Sequence, residues 1–318
     1  MVFRMRRAFL FPGQGSQVVG MGRALAGAFD SARHIFEEVD DALSQKLSQL
    51  MFEGPEAALT LTENAQPALM TASLAVMLVL EKEGGFSLCR EAAYVAGHSL
   101  GEYSALAAAG AVSVGDAARL LRLRGRAMQQ AVPVGEGAMA ALIGVEVEKA
   151  QAVASEASGP NQVCAVANDN APGQVVVSGH REAVERAMAI ARAHGARRSI
   201  SLPVSAPFHS PLMEPAAEVM AEALGRIALK APAVPLVANV TATATSDPAG
   251  IEHGLVEQVT AMVRWRESML FLKQDGIEEV VEIGPGRVLA GLAKRIDPEF
   301  SARSVGAPAE IESLLQQL

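Results

Sequence analysis

A glycine-flanked serine is the clearest candidate for chemistry in this chain. Gly97-His98-Ser99-Leu100-Gly101 follows an apolar run at residues 92–96 and precedes a helix-forming run at 102–109, which is the context of a G-x-S-x-G elbow. In such a turn the serine hydroxyl stands above the sheet as a nucleophile, and the next amide faces a developing oxyanion. A plain strand-to-helix turn with an N-capping serine is the alternative interpretation.

A serine hydroxyl needs a base within hydrogen-bond reach, and the chain has six histidines. Three of them lie in helical patterns among polar residues and are expected to be solvated: His34, His180 and His194. His98 is adjacent to Ser99 and should point away from it. His209 is favoured over His253 because prolines on both sides stiffen its loop, although a simple loop hydrogen bond is the alternative role for His209.

A second glycine-rich turn follows the first apolar run. Its sequence is Phe11-Pro12-Gly13-Gln14-Gly15-Ser16-Gln17, and the glycines allow a backbone amide to approach a ligand closely, as a second oxyanion donor must. A nucleotide-binding loop is excluded, because no Gly-Lys-Ser/Thr is present and the third glycine of G-x-G-x-x-G would fall at Val18.

Arg124 is a candidate for binding an anion. In a helix over residues 115–131, positions 117, 120, 121, 124, 127 and 128 form one stripe, and Arg124 is its only charged member. A broken buried ion pair costs roughly 3 to 5 kcal/mol, so we expect a carboxylate partner from the protein or from a substrate. A structural ion pair or a snorkelling side chain is the alternative. Three further arginines fall outside this stripe and are expected to be solvated: Arg119, Arg122 and Arg126.

Apolar runs predict the sheet that positions these side chains. Residues 7–11, 92–96, 236–239 and 279–283 resemble buried strands that alternate with helical patterns, which is typical of a parallel, helix-covered sheet. The uncharged stretch 64–80 predicts a buried helix and is too polar for a membrane span. The predicted fold class is therefore α/β.

A different block interrupts that alternation. Strand patterns at 138–144, 162–167, 174–178 and 197–202, with helical patterns at 146–158 and 180–194, give a βαββαβ order. Glycine and proline mark its entry at 133–137 and its exit at Pro203. We therefore expect a large domain in two parts, residues 1–132 and 204–318, with a ferredoxin-like subdomain inserted at 133–203.

Length and composition restrict the class of protein. The chain has 318 residues, 50% of them apolar and 19% charged, which excludes a disordered chain or a charge-rich coiled coil. A net charge of -8 provides no general attraction to nucleic acid or to an anionic membrane. Two cysteines form neither a disulfide framework nor a zinc spacing, and the basic start at residues 1–7 lacks the apolar length of a signal peptide. A cytoplasmic location is therefore expected.

Five segments together resemble the malonyl-CoA:acyl-carrier-protein transacylases, and the match runs from end to end. The segments are Phe11-Pro12-Gly13-Gln14-Gly15-Ser16-Gln17, Gly97-His98-Ser99-Leu100-Gly101-Glu102-Tyr103, Asn168-Asp169-Asn170-Ala171-Pro172-Gly173-Gln174, Phe208-His209 and Glu282-Ile283-Gly284-Pro285-Gly286. The resemblance implies an α/β-hydrolase-like large domain with a ferredoxin-like insert, in agreement with the strand and helix patterns.

The resemblance also implies what the candidate residues do. Ser99 would be the nucleophile and His209 its base. The backbone amides of Gln14 and Leu100 would bind the oxyanion, and Arg124 would hold the malonyl carboxylate. The malonyl group would pass from malonyl-CoA through an acyl-serine to the thiol of an acyl carrier protein, without a cofactor or a metal.

Two finer implications concern selectivity and the orientation of the base. Phe208 matches the malonyl-selecting pattern of the family and would crowd a branched acyl chain. The family's histidine is oriented by a backbone carbonyl, and the stretch matched to it here is Val263-Arg264-Trp265. Arg264 is therefore expected to supply that carbonyl.

Two other functions remain open on the residues alone. A serine hydrolase or thioesterase would use the same elbow with an acid such as Asp116 or Asp169. A catalytically silent subunit that binds acyl-CoA or a carrier protein would leave Ser99 unlabelled. Rapid hydrolysis of an acyl-serine would favour the hydrolase.

Overall fold

The computed structural model describes residues 5–204 and 206–317. The start of the basic N-terminal segment, at residues 1–4, and Ser205 in the loop before His209 lie outside the described residues, as does Leu318. The strands are β1 (Arg7–Phe11), β2 (Tyr94–Gly97), β3 (Gly137–Ile143), β4 (Cys164–Ala171), β5 (Gln174–His180), β6 (Arg198–Ser201), β7 (Leu236–Val237), β8 (Ala244–Thr245), β9 (Glu279–Ile283) and β10 (Ser301–Val305).

Helices fill most of the remaining chain. They are α1 (Arg23–Ala28), α2 (Asp30–Leu43), α3 (Leu47–Glu53), α4 (Glu56–Thr60), α5 (Thr62–Gly84), α6 (Leu88–Glu91), α7 (Gly101–Ala108), α8 (Val114–Gln130), α9 (Val147–Ala157), α10 (Arg181–Ile190), α11 (Glu214–Leu224), α12 (Pro248–Glu257), α13 (Trp265–Gln274), α14 (Val288–Ile296) and α15 (Pro308–Leu315). Within the described residues, none of these helices has both the length and the apolar character that a bilayer crossing requires.

The larger sheet brings the two glycine-rich turns together. Its six strands lie in the order β10-β9-β1-β2-β7-β8, and every neighbouring pair is parallel up to β7, which pairs antiparallel with β8. Phe11 at the end of β1 is in register with Gly97 at the end of β2. The turns that follow these residues therefore leave the same edge of the sheet side by side, and the predicted parallel sheet is confirmed.

The smaller sheet matches the predicted insert. Its four strands lie in the antiparallel order β4-β5-β3-β6, and the chain order β3-α9-β4-β5-α10-β6 is the ferredoxin-like βαββαβ unit. An apolar core of its own forms between this sheet and helices α9 and α10. The mixed α/β fold class is therefore confirmed. The sheet spans Gly137 to Ser201, and the exact boundaries 133 and 203 stay a prediction.

Strand β7 is shorter than the sequence pattern predicts. The strand was expected over residues 236–239 but ends at Val237, after which Ala238 donates a backbone hydrogen bond to Thr243 in a turn. Asn239 leaves the sheet ladder because its groups bond to the elbow instead: its amide N–H donates to Glu102 Oε1 at 2.6 Å, and its Nδ2 donates to the Gly97 carbonyl at 2.7 Å. Strand β7 therefore ends before Asn239, because the backbone and side chain of Asn239 bond to the turn around Ser99.

Helices α5 and α8 pack closely through a glycine. A Cβ at Gly125 of α8 would lie 2.6 Å from Glu63 Cα of α5, a distance that real Cβ contacts do not reach. Next to this crossing, Arg124 of α8 donates from Nη1 to Gln66 Oε1 of α5 at 2.8 Å. The close approach of the two backbones therefore places a buried arginine against a buried amide.

We expect Gly125→Ala to destabilise the fold by about 1 to 3 kcal/mol, because the added methyl must push α8 away from α5. The matched control is Gly291→Ala in α14, where a Cβ would meet no atom within 4 Å. At that helical position alanine should stabilise by up to about 1 kcal/mol. Urea unfolding of both variants measures the difference, and equal free energies of unfolding would contradict the close-packing argument.

Candidate active site

The elbow at Ser99 is a tight turn that only glycine neighbours permit. Ser99 has φ of 54°, in the left-handed region that non-glycine residues seldom adopt. A Cβ at Gly97 would lie 1.9 Å from the carbonyl carbon of Gly101, and a Cβ at Gly101 would lie 2.2 Å from the Phe11 carbonyl oxygen. Both glycines of the motif are therefore required by backbone contacts, and the turn lifts the Ser99 side chain off the end of β2.

Two side chains hold the strained backbone of Ser99. Its N–H donates to Asn239 Oδ1 at 2.8 Å, and its carbonyl accepts from Gln258 Nε2 at 3.0 Å. Asn239 and Gln258 are both fully buried. Left-handed geometry at a non-glycine residue persists only where the surroundings over-determine it, and these two amides provide that restraint.

His209 contacts Ser99, and a backbone carbonyl on the other side of the ring sets the tautomer of the imidazole. Ser99 Oγ is 2.8 Å from His209 Nε2, and His209 Nδ1 is 2.8 Å from the carbonyl oxygen of Gln258. A carbonyl only accepts hydrogen bonds, so Nδ1 carries the proton and Nε2 presents a lone pair to the Ser99 hydroxyl. The structure thus brings together the serine and the histidine that the sequence singled out.

The carbonyl that orients His209 is that of Gln258, and the expectation for Arg264 was wrong. Gln258 is the C-cap of α12, where the last carbonyls of a helix have no partner within the helix and are free to accept from elsewhere. Arg264 is the N-cap of α13, and its carbonyl accepts from Ser268 N at 3.0 Å as part of that helix. The Arg264 guanidinium pairs with Glu267 instead of reaching the site.

Arg124 also contacts the nucleophile. It is 1% exposed, and its Nη2 donates to Ser99 Oγ at 3.1 Å and to Gln258 Oε1 at 2.8 Å. With the Gln66 contact, three of the five guanidinium N–H groups are used. Among the described residues, the groups that accept hydrogen bonds from Arg124 are amide and hydroxyl oxygens and not carboxylates, and its Nε has no hydrogen-bond partner. The predicted carboxylate partner is therefore not supplied by a direct protein contact.

The other arginines of α8 divide into two groups. Arg119 and Arg126 are exposed and pair with Asp116 and Glu63, as solvated residues would. Arg122 was expected to be solvated, and that was wrong: it is 8% exposed and its Nε donates to the Glu63 carbonyl at 2.8 Å. The reason is that α8 packs against both α2 and α5, so a second face of the helix is also covered.

A pocket of about 280 Å³ opens over Ser99 between the two sheets. Gln14 and Leu100 line it, and Phe208, which is 9% exposed, forms part of its apolar wall. Met139 of β3 and Val176 of β5 reach it from the insert. Among the described residues, the backbone amides of Gln14 and Leu100 have no assigned acceptor in the protein. Both amides thus remain able to donate to a ligand in this pocket.

None of the remaining histidines bonds to the Ser99 hydroxyl, although His98 lines the pocket. His253 is exposed on α12, and His34 is exposed on α2. His98 turns away from Ser99 as expected, and its Nε2 is 2.8 Å from Asn170 Oδ1 of the insert. His180 is not simply solvated, because its Nδ1 accepts from the Val163 amide at 2.8 Å. His194 is half-buried and pairs with Glu156.

Neither candidate acid of a hydrolase triad contacts the base. Asp116 bonds to Ser113 and Arg119 at the start of α8. Asp169 is buried in the insert and accepts from Arg266 Nε at 2.8 Å. The Nδ1 position of His209, where a triad acid would lie, faces a neutral carbonyl. Within the described part of the chain no three His, Cys, Asp or Glu side chains cluster as metal ligands would.

Burial and charge shift the two titratable groups of the site in opposite directions. Burial, followed by the nearby positive charge of Arg124, lowers the pKa of His209 to about 3. Burial raises the pKa of Glu102 to about 8, although the Asn239 N–H, the Gln258 amide and the charge of Arg124 pull it down. His209 is therefore neutral and able to accept a proton, and Glu102 carries less negative charge than an exposed glutamate.

Sequence reasoning missed three residues that hold the site: Gln66, Asn239 and Gln258. Gln258 follows Ile251 and Leu255 on one apolar stripe of α12, so the argument that singled out Arg124 applies to it as well. Gln66 lies in the uncharged stretch and is 2% exposed, where a polar group requires a partner. Asn239 gave no signal beyond its place at the end of a strand.

Comparison with known proteins agrees with this geometry. The family model described as "Acyl transferase domain" matches residues 8–305. The malonyl CoA-acyl carrier protein transacylase of Bacillus subtilis (strain 168) is 46% identical, covering 98% of this chain and 96% of that protein. The acyl-carrier-protein-S-malonyltransferase from Bartonella henselae is 53% identical, with a TM-score of 0.96 over 98% of this chain and 99% of that chain.

A third solved structure is of a complex. It contains a type II PKS acyl-carrier protein bound to its malonyl-transacylase. This chain is 42% identical to the matched chain of that structure, with a TM-score of 0.94 over 98% of this chain and 100% of that chain. The chain therefore belongs to the acyl transferase domain family, which the elbow and the two-sheet fold define. Within that family it belongs to the malonyl CoA-acyl carrier protein transacylases.

We expect Ser99 to react with phenylmethanesulfonyl fluoride at pH values well below 6.5. The reaction needs neutral His209, and because the pKa of this group is lowered from 6.5, the neutral form persists as the pH falls. The labelling rate measured by mass spectrometry should stay nearly constant from pH 8 to pH 5 and decline only in more acidic solution. A midpoint near 6.5 would contradict the burial argument, and His209→Ala is the control that should not label.

Proposed function

We propose that this chain transfers a malonyl group from CoA to the thiol of an acyl carrier protein through a malonyl-serine at Ser99. One observation carries the proposal: Ser99 Oγ contacts a base and a buried cation at once, His209 Nε2 at 2.8 Å and Arg124 Nη2 at 3.1 Å. A cation beside the nucleophile favours an acyl group that bears its own carboxylate, as malonyl does. Family membership supports the same substrate.

In the first half-reaction His209 accepts the Ser99 proton as Oγ attacks the thioester carbonyl. The amides of Gln14 and Leu100 hold the oxyanion, where the loss of one donor typically costs about 3 to 4 kcal/mol. CoA then leaves as its thiol, taking the proton from His209. The neutral Gln258 carbonyl keeps the imidazole in the tautomer that this sequence of proton transfers needs.

Three of the five N–H groups of Arg124 are bonded within the protein, and the Nε N–H is buried, so the second Nη1 N–H remains for the malonyl carboxylate. Its charge also stabilises the alkoxide form of Ser99 but makes protonation of His209 harder. A bound carboxylate compensates that charge and removes one of the causes that lower the pKa of His209. The anionic substrate thus increases the basicity of the group that activates the nucleophile.

In the second half-reaction the carrier-protein thiol attacks the malonyl-serine and the same steps run in reverse. The acceptor is an acyl carrier protein, in line with the names of the relatives, one of which was solved with such a protein. The residues of the chain itself supply nucleophile, base, oxyanion donors and cation, so the reaction as proposed uses no cofactor. The cytoplasmic location stays a prediction.

Phe208 limits the size of the acyl group. It lines the pocket next to His209, and a branch on the acyl chain would meet its ring. One methyl group is typically discriminated by only about 1 to 3 kcal/mol, so methylmalonyl-CoA is expected to be a poor substrate and not an inert one.

The first expected result concerns the covalent intermediate. Brief exposure to malonyl-CoA should add one malonyl group to the wild type and none to Ser99→Ala, and added carrier protein should remove it. Intact-mass spectrometry follows both proteins. Absence of an adduct would contradict catalysis, and loss of the adduct to water at the same rate with or without carrier would indicate a hydrolase.

The second expected result concerns Arg124. We expect Arg124→Ala to lower kcat/KM for malonyl-CoA at least roughly 30-fold, because a buried charge pair with the substrate is lost. Transfer from acetyl-CoA should improve relative to malonyl-CoA. The matched control is Arg122→Ala, a buried arginine of the same helix outside the pocket, which should keep the wild-type ratio. An unchanged ratio in Arg124→Ala would remove this residue from substrate binding.

A further inference from the structure

Glu102 is a buried titratable group next to the reaction that the proposed steps do not use. It lies in the first turn of α7, three residues after the nucleophile, and is 2% exposed. Burying a carboxyl group is costly unless donors satisfy it. Its Oε1 accepts from the Asn239 N–H at 2.6 Å, and its Oε2 accepts from Gln258 Nε2.

The contact with Glu102 holds the Gln258 amide in the orientation that its contacts with Arg124 and the Ser99 carbonyl also need. Glu102 offers an acceptor and Arg124 offers only donors, so Gln258 must direct Nε2 to the carboxyl and Oε1 to the guanidinium. The 2.8 Å bond from Arg124 Nη2 to Oε1 depends on that orientation. With the amide reversed, Gln258 would present N–H groups to Arg124 and an oxygen to a carboxyl oxygen.

The same residue holds the base. The Gln258 carbonyl accepts from His209 Nδ1 at 2.8 Å, and its Nε2 also donates to the Ser99 carbonyl at 3.0 Å. A change in the side chain of Gln258 therefore reaches the cation, the base and the nucleophile together.

We propose that Glu102 is a positioning residue, which orients Gln258 and through it sets Arg124 for the substrate carboxylate and His209 for proton transfer. The role of Glu102 in setting Arg124 for a substrate carboxylate rests on the proposed function. Its role in setting His209 beside Ser99 does not, because any acyl donor needs that base. Glu102 contacts no reacting atom and acts only through the bridging amide.

The test replaces Glu102 by glutamine, which has nearly the same shape but only one acceptor oxygen for two donors. We expect kcat/KM for malonyl-CoA to fall roughly 10- to 100-fold, the loss typical of a misplaced catalytic constellation. The loss for acetyl-CoA should be smaller, because that substrate has no carboxylate for Arg124 to hold. The ratio of the two substrates is a readout that partial unfolding would not change.

The matched control is Glu282→Gln, another fully buried glutamate, which accepts from the Ala290 amide at 2.9 Å outside the pocket. It should lower the melting temperature to a similar extent and leave the substrate ratio unchanged. If Glu102→Gln does not fold, Glu102→Asp replaces it in the same measurement. Aspartate keeps the carboxyl group but is one methylene too short to reach Gln258, so the same change in the substrate ratio is expected.

A double-mutant cycle tests the route through Gln258. Gln258→Met removes the side-chain amide and keeps the backbone carbonyl. Adding Glu102→Gln to it should cause no further loss, because the residue through which Glu102 acts is already gone. Additive losses, or a folded Glu102→Gln with the wild-type substrate ratio, would overturn the proposal.

Labelling of Ser99 by phenylmethanesulfonyl fluoride separates this proposal from the proposed function. If the wild type forms no malonyl-serine, the proposed function fails, yet Glu102→Gln should still slow labelling roughly 10-fold by displacing His209. If malonyl transfer proceeds in the wild type and Glu102→Gln labels at the wild-type rate, only the positioning role is overturned.

Discussion

A guanidinium buried beside the nucleophile imposes the strictest condition on this fold, since an uncompensated cation in the interior costs several kcal/mol. Arg124 meets that condition with oxygens that carry no full charge: the amides of Gln66 and Gln258 and the hydroxyl of Ser99. Amide oxygens reduce the cost of burial without neutralising the charge. Two helices and the end of a third must therefore converge on one side chain, and the cation remains available to an anionic ligand.

The large sheet positions the second feature of the site, a serine in a strained turn. Parallel strands β1 and β2 end in register, so the two glycine-rich turns lie side by side at the same edge of the sheet. The strain at Ser99 is held by Asn239 and Gln258, which come from distant segments. The insert then closes the pocket from the other side with apolar side chains. Catalytic geometry and tertiary packing here depend on the same contacts.

Much of the architecture could be predicted because strands and helices leave local patterns of apolar residues, glycine and proline in the sequence. Buried parallel strands appear as continuous apolar runs, and the antiparallel insert appears as short strands between glycine and proline, so a parallel sheet and the βαββαβ chain order of the insert were predicted. The edge strands β8 and β10 of the large sheet were not predicted. Arg124 was found because a charge interrupts an apolar stripe. The same reasoning failed for Arg122, because α8 is covered on two faces and a single-stripe pattern assumes one. The roles given to Gln14, Leu100 and Phe208 stay predictions.

By itself, the sequence determined the nucleophile elbow, the candidate base, the buried cation and the family, because residue type and spacing decide which turns and stripes a chain can form. Only the tertiary structure decided which residues form hydrogen bonds to Ser99, His209 and Arg124. Ser99 and His209 are 110 positions apart, and the bond between Ser99 and Gln258 spans 159. The carbonyl that orients His209 belongs to Gln258 and not to Arg264, because a helix leaves its last carbonyls free and uses those at its start. Which free carbonyl meets the imidazole depends on how the helices pack, and no local pattern encodes that.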